Sequence, residues 1–198
     1  MIVADTGAVY ALIDAGERHH RVLRRLFESD PDAWVLPWVI LPEVDYLVGK
    51  RLGRKVEEEF LEDLADGAFA VAWGDEADVA EARRICRKHR DLRLGLVDAC
   101  VMAVAERMKA GAIATLDVRD FGAVELKGAP KLYPRDLRAA ARQISSIGIG
   151  AKQTTKIRRT AAATSLRRKS SGESSSRTGG CRIPMTRAIR IQRNQPGQ

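Results

Sequence analysis

Four acidic residues sit where a solvated surface charge is not the ordinary choice. Asp5 directly follows the apolar run Ile2-Val3-Ala4, and Glu43 stands between Pro42 and Val44. Asp98 lies in Gly95-Leu96-Val97-Asp98-Ala99-Cys100, at the head of an almost wholly apolar stretch. Asp117 follows Ala114-Thr115-Leu116 and precedes Val118-Arg119-Asp120-Phe121. Singly, Asp5, Asp98 and Asp117 read as helix N-caps, and Glu43 as an acid favoured by a helix dipole. Jointly they imply something else. Carboxylates on apolar segments are partly desolvated, and where they converge they repel one another, raising their pKa values and costing stability. A bound cation removes that cost. All-oxygen ligands select a hard ion, Mg²⁺ or Mn²⁺, and such a centre suits phosphodiester hydrolysis by a metal-activated water without a Ser, Cys or His nucleophile.

The elements that must position these acids are legible as an alternation of strands and helices. Short apolar runs predict strands at 2–4, 34–36, 69–73, 112–115 and 131–133. Between them, helical periodicity spans 8–14, 18–28, 39–52, 55–64, 76–89 and 96–108, with a short helical turn at 118–121. Pro42 is tolerated in the first turn of its helix, and Gly53 stops that helix. In the 76–89 helix, Val79, Ala82, Ile85 and Cys86 are expected to face inward. The alternation predicts an α/β sandwich with a mainly parallel sheet. Ligands of such sheets bind beyond the carboxyl ends of the strands, where Asp5 and Asp117 both fall.

Charge divides the chain in two. Residues 1–138 carry 25 acidic and 21 basic side chains, a net charge of −4. Residues 139–198 carry 13 basic side chains and one acid, Glu173, a net charge of +12. The high overall pI of 9.7 therefore belongs to the tail. The tail is Ser/Thr/Arg-rich with few large apolar residues, and its composition predicts disorder. Its cations would bind any polyanion non-specifically, and it has no aromatic residue for base stacking.

The three cysteines, Cys86, Cys100 and Cys181, have no paired spacing, which argues against a disulfide framework or a zinc site. No basic segment followed by a long apolar stretch opens the chain, and no run of about 18 apolar residues occurs. The expected location is cytoplasmic, with no membrane partner.

Asp5-Thr6, Pro42-Glu43-Val44, Asp98 within its apolar helix, and the run Thr115-Leu116-Asp117-Val118-Arg119-Asp120-Phe121 together resemble the PIN-domain nucleases. Within them, the match is to the VapC-type toxins of bacterial type II toxin–antitoxin systems. The stretch from Asp14 through Arg18-His19-His20 also resembles a helix junction common in those toxins. The resemblance spans residues 1–136, in order and at suitable spacing. It implies a three-layer α/β/α sandwich with four to five strands. It further implies an Mg²⁺- or Mn²⁺-dependent endoribonuclease, with Asp5, Glu43, Asp98 and Asp117 as metal-binding acids and Thr115 in the catalytic machinery. Thr6 is a second candidate for orienting the acids. Asp120 is either an auxiliary ligand or a cap or surface charge. The implied partners are an RNA substrate such as tRNA or rRNA, a cognate antitoxin, and a second copy of the chain in a homodimer. The basic tail departs from the family pattern. Two other readings compete: an RNA-processing nuclease with no antitoxin, and a PIN fold retained for RNA or protein binding without cleavage.

Other residues have plainer readings. Adjacent His19 and His20 point about 100° apart on a helix and do not readily chelate one ion. Trp34, Trp38 and Trp73 flank strands, where core or partner packing outweighs base stacking. Lys50-Arg51 and Arg54-Lys55, on either side of Gly53, are candidates for RNA phosphate contact, against the alternative of an exposed helix end.

Overall fold

A computed structural model describes residues 1–137. The expected domain boundary at 138 and the expected disorder of 139–198 lie outside the described residues. Five strands form one sheet: β1 (Ile2–Ala4), β2 (Trp34–Pro37), β3 (Ala70–Ala72), β4 (Ala112–Ala114) and β5 (Lys131–Tyr133). Among the described residues, seven α-helices accompany them. They are α1 (Thr6–Ile13), α2 (His20–Ser29), α3 (Leu41–Leu52), α4 (Arg54–Ala65), α5 (Glu76–Lys88), α6 (Leu96–Arg107) and α7 (Val118–Ala123).

The strand order is β3-β2-β1-β4-β5, and every neighbouring pair is parallel. The chain steps outward from β1 through β2 to β3, then crosses back to lay β4 on the other side of β1. Right-handed crossovers then put α1–α4 on one face and α5–α7 on the other. Helix contacts agree: α1 packs on α2 and α3, α3 on α4, and α5 on α6. The direction of winding reverses between β1 and β4. At such a switch point the connections leave in opposite directions, opening a crevice at the strands' carboxyl ends.

Buried apolar side chains explain the arrangement. β1, β2 and β4 are buried along their whole length, as continuous hydrophobic runs in a sheet covered on both faces must be. Phe27 meets Trp34 edge-on with ring centroids 5.7 Å apart, and Phe69 lies 5.5 Å from Phe27 and 6.4 Å from Phe60. This aromatic group welds α2, β2, α4 and the approach to β3. Gly53, at φ 91°, ends α3 and begins α4, a one-residue corner whose conformation L side chains rarely adopt.

Two expectations are corrected. Val79 is 51% exposed rather than inward. The cause is the rotation of α5, set by its first turn. Asp75 and Asp78 form a reciprocal capping box, and the buried Asp78 also receives two hydrogen bonds from Arg107 of α6. With Asp78, Ala82 and Ile85 facing in, Val79 is turned about 100° away. Second, α3 begins at Leu41, because Trp38–Ile40 form a separate 3₁₀ turn. Of the three tryptophans, Trp34 is in the core, and Trp38 and Trp73 are exposed at the sheet's carboxyl edge. Gly74 makes room for Trp38, since a Cβ at 74 would run into the indole nitrogen.

His20 is buried, and its Nδ1–H donates to the Ala11 carbonyl at 2.9 Å, a structural role. Cys86 and Cys100 are free thiols, and burial pushes the Cys100 thiol up from its usual pKa. Among the described residues no helix is long and apolar enough to cross a membrane.

Candidate active site

The crevice between β1 and β4 collects the acids. Asp5 is the first residue beyond β1, and its backbone N–H still pairs with Ala114 of β4 at 2.9 Å. Its side chain is buried. Oδ1 accepts from the Thr6 backbone N–H at 2.7 Å, and Oδ2 accepts from the Thr115 hydroxyl at 2.9 Å. Thr115, fully buried just past β4, holds the opposite wall. Its N–H donates to the Tyr133 carbonyl of β5, and its hydroxyl oxygen accepts from the Asp117 N–H at 3.0 Å. One threonine therefore orients two of the predicted acids.

The remaining acids come from helix starts on both faces of the sheet. Glu43, in the first turn of α3, accepts at Oε2 from the Thr6 hydroxyl at 2.8 Å. Asp98, in the first turn of α6, accepts at Oδ2 from the Gly95 N–H at 3.1 Å. Asp117 caps α7, with Oδ1 accepting from the Arg119 and Asp120 N–H groups at 3.1 and 3.0 Å. The N-cap roles considered from sequence hold for Asp5 and Asp117, whereas Asp98 is the third residue of α6 and reaches back to the N-cap Gly95. Glu43, Asp98 and Asp117 each commit one carboxylate oxygen to anchoring. The other oxygen takes no hydrogen bond from the described residues.

Electrostatics show that these groups face one another. Burial raises the Asp5 pKa to about 6, against the lowering effect of the Thr115 and Thr6 hydrogen bonds, and the charges of Asp98 and Glu43 push it further up. Burial likewise raises Asp98, opposed by the Gly95 N–H and reinforced by Asp117, Asp120 and Glu43. Five carboxylates therefore share one field. Asp120 is itself buried and ion-paired to Arg119 at 2.8 Å. Arg119, missed by the sequence reading, places a cation at the rim. Its signal was its position between two acids of the 117–120 turn.

The donor set fits a hard divalent ion, being all oxygen, negatively charged and partly desolvated. Among the described residues, no three acidic, histidine or cysteine side chains close on one point as a ready-made cage. Mg²⁺ binds with one or two direct carboxylates and several retained waters, so the open spacing is compatible with it.

The comparisons agree with this geometry. The PIN domain family model matches residues 2–126. Ribonuclease VapC26 of Mycobacterium tuberculosis is 37% identical over 123 residues, 62% of this chain and 91% of that protein. Among solved structures, VapC20 of Mycobacterium tuberculosis, described as a Sarcin-Ricin loop cleaving toxin, superposes with a TM-score of 0.57. It is 22% identical, with 66% of this chain and all of that one covered. The DNA-bound VapBC of Salmonella typhimurium superposes with a TM-score of 0.53 at 16% identity, covering 66% of this chain and 95% of that one. The five-stranded parallel sheet, the crevice at its switch point and these matches lead to one conclusion: the chain belongs to the PIN-domain family, in its VapC-type branch.

Proposed function

We propose that this protein is an Mg²⁺- or Mn²⁺-dependent endoribonuclease, the toxin of a toxin–antitoxin pair. The observation that carries the reading is the buried Asp5–Thr115 pair at the sheet's switch point, ringed by Glu43, Asp98 and Asp117. The kinship with a ribonuclease at 37% identity supports the same substrate class.

Asp5 is the central acid. Its burial makes the charged carboxylate unfavourable in isolation, so it is poised to take up either a proton or a cation. Thr115 holds Asp5 in one orientation and Asp117 in register with it. Thr6 does the same for Glu43, and Asp98 completes the ring from the opposite face. A bound divalent ion would supply acidification of water and stabilisation of charge on the scissile phosphate. The protein's own contribution is to fix the acids so that little reorganisation accompanies the reaction. Structured RNA such as tRNA or rRNA is the proposed target, within the cytoplasm. A cognate antitoxin covering the site and a homodimeric assembly complete the proposal.

The test is cleavage of total RNA by the purified full chain with Mg²⁺ or Mn²⁺, beside Asp5→Asn. Cleavage by the parent alone, abolished by EDTA, is expected. Equal cleavage by both proteins, or cleavage that persists in EDTA, would overturn the proposal. RNA binding without any cleavage would favour the non-catalytic reading. Growth arrest on expression, relieved by co-expressing a small neighbouring gene, would separate a toxin from an RNA-processing nuclease.

A further inference from the structure

An acidic domain that acts on RNA needs a local track of positive potential, and the described residues offer two candidates. The first is the corner between α3 and α4. Its cations are largely occupied within the fold. Lys50 donates to the Tyr46 hydroxyl at 3.0 Å and lies over that ring, 5.2 Å from its centroid. Arg51 lies over the Tyr10 ring at 5.5 Å. Arg54 pairs with Glu58 at 2.9 Å and approaches Glu57 at 4.0 Å.

The second candidate is different. Residues 83–93 contain Arg83, Arg84, Arg87, Lys88, Arg90 and Arg93 against a single acid, Asp91. Only Arg84 forms ion pairs within the described residues, with Glu81 at 2.6 Å and Glu106 at 3.9 Å. The other five are exposed and have no ion pair there. Holding so many like charges together is unfavourable for an isolated helix. Arg83 and Arg87 are one turn apart on α5 and, with Arg84 and Ala80, line a cleft of about 200 Å³. The ridge then runs through the turn Arg90–Leu92 to Arg93, whose φ of 54° makes the corner. From that corner the chain enters α6, which carries Asp98. The corner is tethered to α5 by the Cys86 thiol, which donates to the Leu94 carbonyl at 3.8 Å. The basic ridge is therefore physically continuous with one wall of the acidic crevice.

We infer that this ridge is the RNA-backbone track of the protein, with Arg83, Arg87, Lys88, Arg90 and Arg93 contacting successive phosphates and leading the strand to the acids. The inference rests on the ribonuclease reading for its substrate. Its chemistry is that of guanidinium groups, which recognise phosphate oxygens by paired N–H donors. Such contacts position a strand without reading its sequence.

The experiment measures binding of end-labelled bulk tRNA to the full chain in EDTA, as a function of salt. Because binding is read without cleavage, its outcome is independent of whether the protein is a nuclease. The variant Arg83→Ala/Arg87→Ala/Arg90→Ala is compared with Arg21→Ala/Arg25→Ala/Lys131→Ala, which removes equal charge from exposed positions elsewhere. The basic tail contributes equally to both. Each lost phosphate contact lowers the salt slope by about 0.7–0.9, so the ridge variant is expected to lose about 2 from the slope and to bind roughly tenfold more weakly than the control. Restoring the three positions as lysine should restore the slope but only part of the affinity. Equal behaviour of the two triple variants would overturn the inference. So would a ridge variant whose weaker binding accompanies an altered oligomeric state in size-exclusion chromatography, because the ridge would then be an interface between copies. Near-parental thermal midpoints are expected for both variants, since every replaced side chain is exposed.

Discussion

The hydroxyl of Thr6 donates to Oε2 of Glu43 at 2.8 Å, joining the first residue of α1 to the first turn of α3 across 37 positions of sequence. Thr6 also gives its backbone N–H to Asp5. One residue thus couples two acids of the crevice, through main chain to one and side chain to the other. Thr6→Val should leave the fold intact at a loss of about 1 kcal/mol, since the bond is only part-buried. Glu43 would lose its orientation, and kcat for RNA cleavage should fall by roughly tenfold or more. Thr6→Ser should recover most of it. Activity unaffected by Thr6→Val would show that Glu43 needs no such support.

Thr115 is expected to be the less forgiving threonine. It is fully buried, and Thr115→Val removes a donor to Asp5 and an acceptor for the Asp117 N–H. The similar volume leaves no cavity, so the penalty is that of unsatisfied polar groups, about 1–3 kcal/mol. Denaturant unfolding measures it. The same variant should lose activity, with Thr115→Ser close to the parent.

Asp5 gives the metal-free protein a specific pH dependence. Its folded pKa, about 6, lies above the ordinary value of 3.8 because burial disfavours its charge. A pKa raised on folding contributes stability that is complete below about pH 4 and is lost as pH rises through 6. In EDTA, the Asp5 contribution should therefore make the protein less stable at pH 7.5 than at pH 5, by on the order of 1 kcal/mol from this group. Asp5→Asn should flatten that part of the profile. Comparing thermal midpoints of parent and variant at both pH values isolates the effect. Adding Mg²⁺ at pH 7.5 should raise the parent's midpoint progressively with concentration and leave the Asp5→Asn midpoint nearly unmoved.

Arg107 and Asp78 provide a test of architecture apart from chemistry. The guanidinium makes two hydrogen bonds to the buried carboxylate, at 2.7 and 3.0 Å, linking the end of α6 to the start of α5. Arg107 is 39% exposed, so solvent screens the pair and moderates its worth. Asp78→Ala also removes half of the α5 capping box. Together these should cost about 1–2 kcal/mol in stability. Catalytic constants measured well below the unfolding midpoint should remain near the parent's. A collapse of kcat there would mean that α5 and α6 transmit their packing to Asp98.

The acids, the strand–helix alternation and the parallel sheet were legible because each is a local pattern with a physical reason. Asp5 and Asp117 stand at strand ends, and an apolar helix carrying one acid at its head draws attention to Asp98. What escaped was whatever depends on helix rotation or on neighbours distant in sequence. Val79 looked apolar and inward until the Asp75–Asp78 box and Arg107 fixed the turn of α5. Thr6 was visible only as a candidate, because its partner Glu43 is brought near by the crossover from β1 to β2. The cations around Gly53 read as candidates for phosphate contact, yet three of them, Lys50, Arg51 and Arg54, have aromatic or acidic partners within the fold. The basic run of residues 83–93 was not singled out in sequence, because nothing local shows that α5 leads into the corner before Asp98.

The bond between Thr115 and Asp5 joins residues 110 apart in the chain. During synthesis, the ribosome must release β4 and the turn beyond it before this contact can form. Every shorter translation product carries Asp5 but lacks the threonine that orients it. Under the proposed function, activity is thereby expected to require near-completion of the domain. The crossover back to β1, late in the sequence and central in the sheet, acts as a built-in delay.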